Sequence, residues 1–217
     1  MSQAESTAQR DAGSAASPQG VALGYEPRPD RASERVWIPI GGSHCVPGLS
    51  EFRRKSLVSA VLEVNPSPQT RLVLLGVDVD GLRPAGRAAL RSRIAYLPAE
   101  GGLLSNLNAW ENIVLPIGFH HPRQLHGVAA RVMDLLDGLA DDPRALLAKL
   151  PERMTPYEKK LTGYVRIALE KPDLVLAEEQ QGGLDSAERA AANRFPAAYL
   201  ARCPGGTYVQ LEIASGP

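Results

Sequence analysis

The stretch Asp173-Leu174-Val175-Leu176-Ala177-Glu178-Glu179 constrains the fold of this chain more than any other. Its apolar residues run on without alternation and close on two acids. A half-exposed strand alternates apolar and polar side chains. An unbroken apolar run belongs to a strand covered on both faces, as in a parallel sheet flanked by helices. Residues 71–79 (RLVLLGVDV), 94–98 (IAYLP) and 206–213 (GTYVQLEI) read as further strands. Helical patterns lie between them. In 52–64 (FRRKSLVSAVLEV) Leu57, Val58, Val61 and Leu62 fall at helical spacing, and NPSPQT ends the helix. Residues 106–115 (NLNAWENIVL) read as a helix capped by Asn108, with Glu111 three residues on. In 125–139, Val128, Val132, Leu135, Leu136 and Leu139 repeat with helical period. Residues 157–170 form another helix, stopped by Pro172, and 185–201 a last one that Pro196 must kink or shorten. Strand and helix alternate, so the expected fold class is α/β with a mostly parallel sheet.

The ends of the chain read differently. Residues 21–46 hold short apolar alternations, VALGY and VWIPI, expected to be edge strands joined by a turn. Residues 1–20 are small and polar and bury too little to offset ordering entropy. The expectation is a disordered tail at 1–20 and one domain over 21–217. Hydrophobic residues make up 44% of 217, enough for a sizeable core. Lys plus Arg equals Asp plus Glu at 24 each, which gives no electrostatic reason to bind nucleic acid or an anionic membrane. No apolar run approaches the roughly 20 residues that cross a bilayer, and the start lacks the apolar core of a signal peptide. Any membrane role is therefore expected to come through a partner. Cys45 and Cys203 stand far apart, as in a reduced, intracellular protein. His120, His121 and His126 cluster without zinc-like spacing. Neither a nucleophile elbow nor a Rossmann glycine fingerprint is present.

The order of these patterns resembles a family. Residues 93–121 (RIAYLPAEGGLLSNLNAWENIVLPIGFHH) resemble the Q-loop region of ABC transporter ATPases, and ENIVLP is nearest to the lipid-asymmetry type. Residues 150–188 (LPERMTPYEKKLTGYVRIALEKPDLVLAEEQQGGLDSAE) resemble the signature helix, Walker B strand and D-loop, in family order. The spacing fits from residue 21 to the end. The resemblance implies a P-loop NTPase-like ABC ATPase domain. Its sheet would be mostly parallel, with short antiparallel N-terminal strands and a helical signature subregion.

The resemblance also assigns residues. Lys55 and Ser56 match the phosphate-binding Lys and the hydroxyl of the P-loop, within 49–56 (LSEFRRKS), and Ser56 with Glu178 would contact magnesium. Glu179 matches the catalytic carboxylate, Tyr25 the aromatic on adenine, Thr155 the signature hydroxyl and Asp185 the D-loop acid. The departures are equally specific. Leu49 and Arg54 stand at the P-loop glycines, where a Cβ obstructs the backbone cradle. Ala99 replaces the Q-loop glutamine, Pro156 and Tyr157 the signature glycines, and no histidine follows the last strand near Glu212 or Ile213. Losing several members of one site is expected to abolish hydrolysis.

The expectation is thus a degenerate ATP-binding-cassette subunit of a membrane transporter, with lipid a candidate cargo and Mg-ATP implied by the resemblance alone. It would sit at the inner face of the membrane beneath an integral-membrane permease, docked through 99–118. It would pair with a second copy or with an active ABC ATPase. Two alternatives stand beside it: a divergent working ATPase, and a soluble protein-interaction module on the same fold.

Overall fold

A computed structural model describes residues 19–27, 35–178 and 183–213. Most of the expected tail, and Glu179, lie outside the described residues. Two four-stranded sheets organise the chain. The first is antiparallel and N-terminal: β1 (Val21–Glu26) lies between β2 (Val36–Pro39) and β4 (Arg71–Leu74), with β5 (Val77–Asp78) outermost. The second is parallel, in the order β3 (Gly42–Leu49), β8 (Thr207–Ile213), β7 (Leu174–Glu178), β6 (Ile94–Leu97).

Strand β7 behaves as its apolar run dictates. Every residue from Leu174 to Glu178 is buried. Leu174 and Leu176 face one core with α1 (Glu51–Glu63) and the antiparallel sheet. Val175 and Ala177 face a second core with α3 (Ala109–His120), α4 (Val128–Leu136), α6 (Pro156–Glu170) and α8 (Phe195–Arg202). In that second core the Tyr164 and Phe195 rings stack at 4.5 Å between centroids. Helices α3 to α6, with the short α5 (Pro143–Ala148), make the helical subregion.

Several boundaries differ from the sequence reading, each for a local reason. Residues 71–79 are a tight hairpin rather than one strand, because Leu75 and Gly76 both take positive φ (49° and 80°). Residues 42–49 are a parallel edge strand that sequence analysis did not single out; half its side chains are exposed, so it carries no apolar run. The helix expected at 125–139 starts only at Val128, since Gly127 precedes it at φ 75°. The helix expected at 185–201 is two, α7 (Ser186–Ala192) and α8, and Pro196 sits in the first turn of the second, where its missing N–H costs nothing. Helix α3 has the expected capping box of Asn108 and Glu111 but continues past Pro116 to His120. The α/β class, the mostly parallel C-terminal sheet and the short antiparallel N-terminal strands are as expected.

Candidate functional site

The C-terminal ends of the parallel strands bring three segments to one carboxylate, Glu178 at the end of β7. The first is the start of α1. Strand β3 ends at Leu49, and Ser50 is already the N-cap of α1, its Oγ accepting from Arg53 N–H at 3.3 Å. A single residue therefore joins strand to helix. The nearest glycine, Gly48, lies within β3. Arg54 N–H is bonded to Ser50 O at 2.9 Å, so the backbone here closes a helical turn instead of opening outward.

Side chains follow from that backbone. Lys55 is two-thirds exposed and pairs with Glu51 one turn away at 2.6 Å. That hydrogen bond and charge hold the Glu51 carboxyl below its usual range. Ser56 is half-buried on the same helix. The α1 cation that reaches the Glu178 carboxylate is Arg54, whose guanidinium is ion-paired to Oε1. Both partners are largely buried, their side chains 13% and 8% exposed.

The second segment is β6 with the loop after it. The Tyr96 hydroxyl donates to Glu178 Oε1, and Ala99 N–H donates to Oε2 at 3.3 Å. Burial raises the Tyr96 phenol, against a smaller opposing pull from Arg54. The third segment is α6, whose buried Lys160 donates to the Glu178 carbonyl at 2.9 Å. Glu178 is thus bound through both carboxylate oxygens and its backbone.

The loop beyond Ala99 is fixed at close quarters. Gly101 takes φ 77°, and a Cβ there would lie 2.1 Å from Lys159 O on α6. A Cβ on Gly163 would lie 2.5 Å from Gly101 O. The Arg166 guanidinium donates to Gly101 O at 2.9 Å and Gly102 O at 2.7 Å. Further on, the buried Asn112 side chain donates to the Leu104, Leu107 and Asn108 carbonyls and accepts from Leu104 N–H.

Thr155 and Asp185 lie together elsewhere. Each caps a helix by a capping box, Thr155 with Glu158 on α6 and Asp185 with Glu188 on α7. They line one cleft of about 640 Å³ with Lys149, Arg194 and both glutamates. Tyr157 turns inward, its hydroxyl donating to Leu139 O at 2.6 Å and its ring near Phe195. Tyr25 packs, partly buried, on β1 between Val36 and Leu72. Of the residues assigned from sequence, Glu178 sits in the polar cluster, Thr155 and Asp185 share a cleft, and Lys55, Ser56 and Tyr25 stand apart on α1 and β1. Sequence reasoning treated Arg54 only as an obstruction and passed over Tyr96, Lys160, Asn112 and Arg166. For Arg54 a signal existed: with Leu57, Val58 and Val61 it continues the buried stripe of α1, where a charge requires a counterion.

No protein-family model matches the chain. Among curated proteins it is 26% identical over 167 residues to the Fe(3+) ions import ATP-binding protein FbpC of Pseudomonas fluorescens, covering 76% of this chain and 45% of that protein. It is 26% identical over 173 residues to the ergothioneine transport ATP-binding protein EgtV of Helicobacter pylori, covering 79% of this chain and 77% of that one. It is 29% identical over 140 residues to the methionine import ATP-binding protein MetN of Corynebacterium efficiens, covering 64% and 38%. The matched part thus spans less than half of FbpC and MetN. Among solved structures, cbiO1 from Clostridium perfringens, part of the ABC transporter complex cbiONQ, superposes with a TM-score of 0.70 at 14% identity, over 91% of this chain and 80% of that one. A dimeric ATP-binding cassette bound to ADP and Pi superposes with a TM-score of 0.62 at 16% identity, over 89% and 86%. An apolar strand buried on both faces, an antiparallel N-terminal sheet, a helical subregion and these superpositions agree: the chain has the fold of the ATP-binding domains of ABC transporters.

Proposed function

We propose that this chain is a transporter subunit that keeps the ABC ATPase fold without hydrolysing ATP, and that it acts by holding a permease or a partner ATPase. One observation carries the reading. The connection from β3 to α1 is a single residue, Ser50, so there is no loop of outward N–H groups to wrap phosphates. The other groups expected around Mg-ATP do not fit it either. Lys55 turns to Glu51 in solvent, and the Glu178 carboxylate already carries the Arg54 guanidinium.

The transport side of the proposal has its own support. Helix α3 and the turn after it expose Phe119 and Leu125, which with Leu107, Val114, Leu115 and Gly118 line an apolar hollow of about 380 Å³. We assign that face to a permease, which would place the chain at the inner side of the membrane. The likeness of ENIVLP to lipid-asymmetry transporters makes lipid the first cargo to test.

Purified protein mixed with Mg-ATP is expected to show neither a thermal shift nor phosphate release, and a permease is expected to co-purify from the native host. Saturable micromolar ATP binding would overturn the reading. Turnover that Glu179→Gln suppresses would establish the divergent ATPase instead. An inert chain that associates with no permease would leave the soluble interaction module.

A further inference from the structure

We infer that the Arg54 guanidinium stands in for a divalent cation at Glu178, and that Arg54, Glu178, Tyr96 and the Ala99 N–H form an internal bracket fixing the 98–108 loop to the parallel sheet without nucleotide. The inference rests on the reading of the chain as a non-hydrolysing ABC fold and gives that reading a consequence for shape.

The bracket joins parts far apart in sequence. Arg54 belongs to α1, Tyr96 to β6, Ala99 to the loop, and Glu178 to β7. A buried carboxylate requires a positive partner. Arg54 supplies that charge from within the chain. Both carboxylate oxygens are engaged, Oε1 by Arg54 and Tyr96 and Oε2 by Ala99 N–H. A divalent cation would have to displace the guanidinium and would meet it as a like charge. The geometry is that of a filled position.

The loop is fastened at its other side too. Gly101 and Gly163 bring its backbone into contact with α6, where neither position has room for a Cβ. Arg166 clamps the Gly101 and Gly102 carbonyls, and Asn112 of α3 holds Leu104, Leu107 and Asn108. One continuous run of polar and close backbone contacts therefore leads from Glu178 to α3. The apolar face of α3 is held at a fixed place relative to the sheet by the chain's own side chains.

The test combines amide hydrogen exchange with Mn2+ titration read by electron paramagnetic resonance, on the full chain. Wild type is expected to bind no Mn2+ at Glu178. In Arg54→Met, amides of 99–103 should exchange roughly tenfold faster or more, as in a local opening, while the β4–β5 hairpin is unchanged. Mn2+ should then bind, restore protection, and do neither in Arg54→Met/Glu178→Gln. If Arg54→Met does not fold, Arg54→Met/Glu178→Leu removes both charges and should still speed exchange at 99–103. Unchanged exchange at 99–103 in whichever variant folds overturns the bracket. So does Mn2+ bound by wild type and lost in Glu178→Gln. Wild-type ATP hydrolysis is measured separately: it would end the functional reading, whereas Mn2+ binding without hydrolysis would end the bracket alone.

Discussion

Arg54 sits where its helix meets the core, and its neighbours make that placement unavoidable. Leu57, Val58 and Val61 must be buried, and Arg54 lies on the same side of α1 one turn earlier. Removing one member of a buried ion pair leaves the other uncompensated, at a cost of about 3–5 kcal/mol. Arg54→Met and Glu178→Leu are each expected to lose stability on that scale in urea unfolding, while Arg54→Met/Glu178→Leu loses less than the two single changes summed. Asn112 is a second sensitive residue. Asn112→Ala removes a buried side chain that makes four hydrogen bonds to the 104–108 backbone and should cost about 1–3 kcal/mol. The tyrosines of the helical core set a pH limit. Burial pushes the Tyr157 and Tyr164 phenols up to about 12. Above the ordinary phenol value the unfolded chain loses these protons and the folded chain keeps them, so unfolding becomes easier as pH rises. The contribution of these tyrosines is expected to be flat below pH about 10 and to fall between about 10 and 12, with Tyr164→Phe reducing the slope. The residue-level assignments drawn from sequence were incomplete for a physical reason. A motif position names which residue ought to act, whereas the direction of a side chain depends on the backbone under it. Lys55 and Arg54 are adjacent, and a helix turn sends them to different surroundings.

At the scale of elements, caps and turns account for most boundaries. Asn108 and Glu111 form the capping box expected from their spacing, as Thr155 with Glu158 and Asp185 with Glu188 also do. Asn108→Ala should cost about 1 kcal/mol and fray the start of α3, read as faster amide exchange at Ala109–Asn112. Gly101→Ala should cost more than about 1 kcal/mol, because it adds a Cβ at positive φ against the Lys159 carbonyl. The long apolar strand and the periodic helices were legible because burial forces a repeating pattern on them. The 71–79 hairpin was not, because Leu75 takes a positive φ that nothing in its side chain announces. Strand β3 was hidden for the opposite reason: as a sheet edge it needs little apolar surface, and its sequence GSHCVPGL resembles a loop.

For the whole molecule, the two cores on either side of β7 share one parallel sheet, and the loop of 98–108 ties that sheet to the helical subregion. A nucleotide-driven rearrangement would have to break this tie. Amide exchange across α3 and α6 is therefore expected to be the same with and without Mg-ATP. The exposed face of α3 offers a separate handle. Phe119→Asp should leave urea stability within about 0.5 kcal/mol, since the side chain is 77% exposed, yet weaken retention of a permease. The amino-acid sequence alone determined the α/β class and the covered strand, because an unbroken apolar run between helical periods is buried only when both faces of the strand are packed. It also places Leu49, Arg54 and Ala99 where the resemblance expects glycines and a glutamine. Which groups meet at Glu178 was decided only in three dimensions. Arg54, Tyr96, Ala99 and Glu178 are separated by up to 124 positions in the chain, and only strand order and the entry angle of α1 bring their charges and hydrogen-bonding groups into contact.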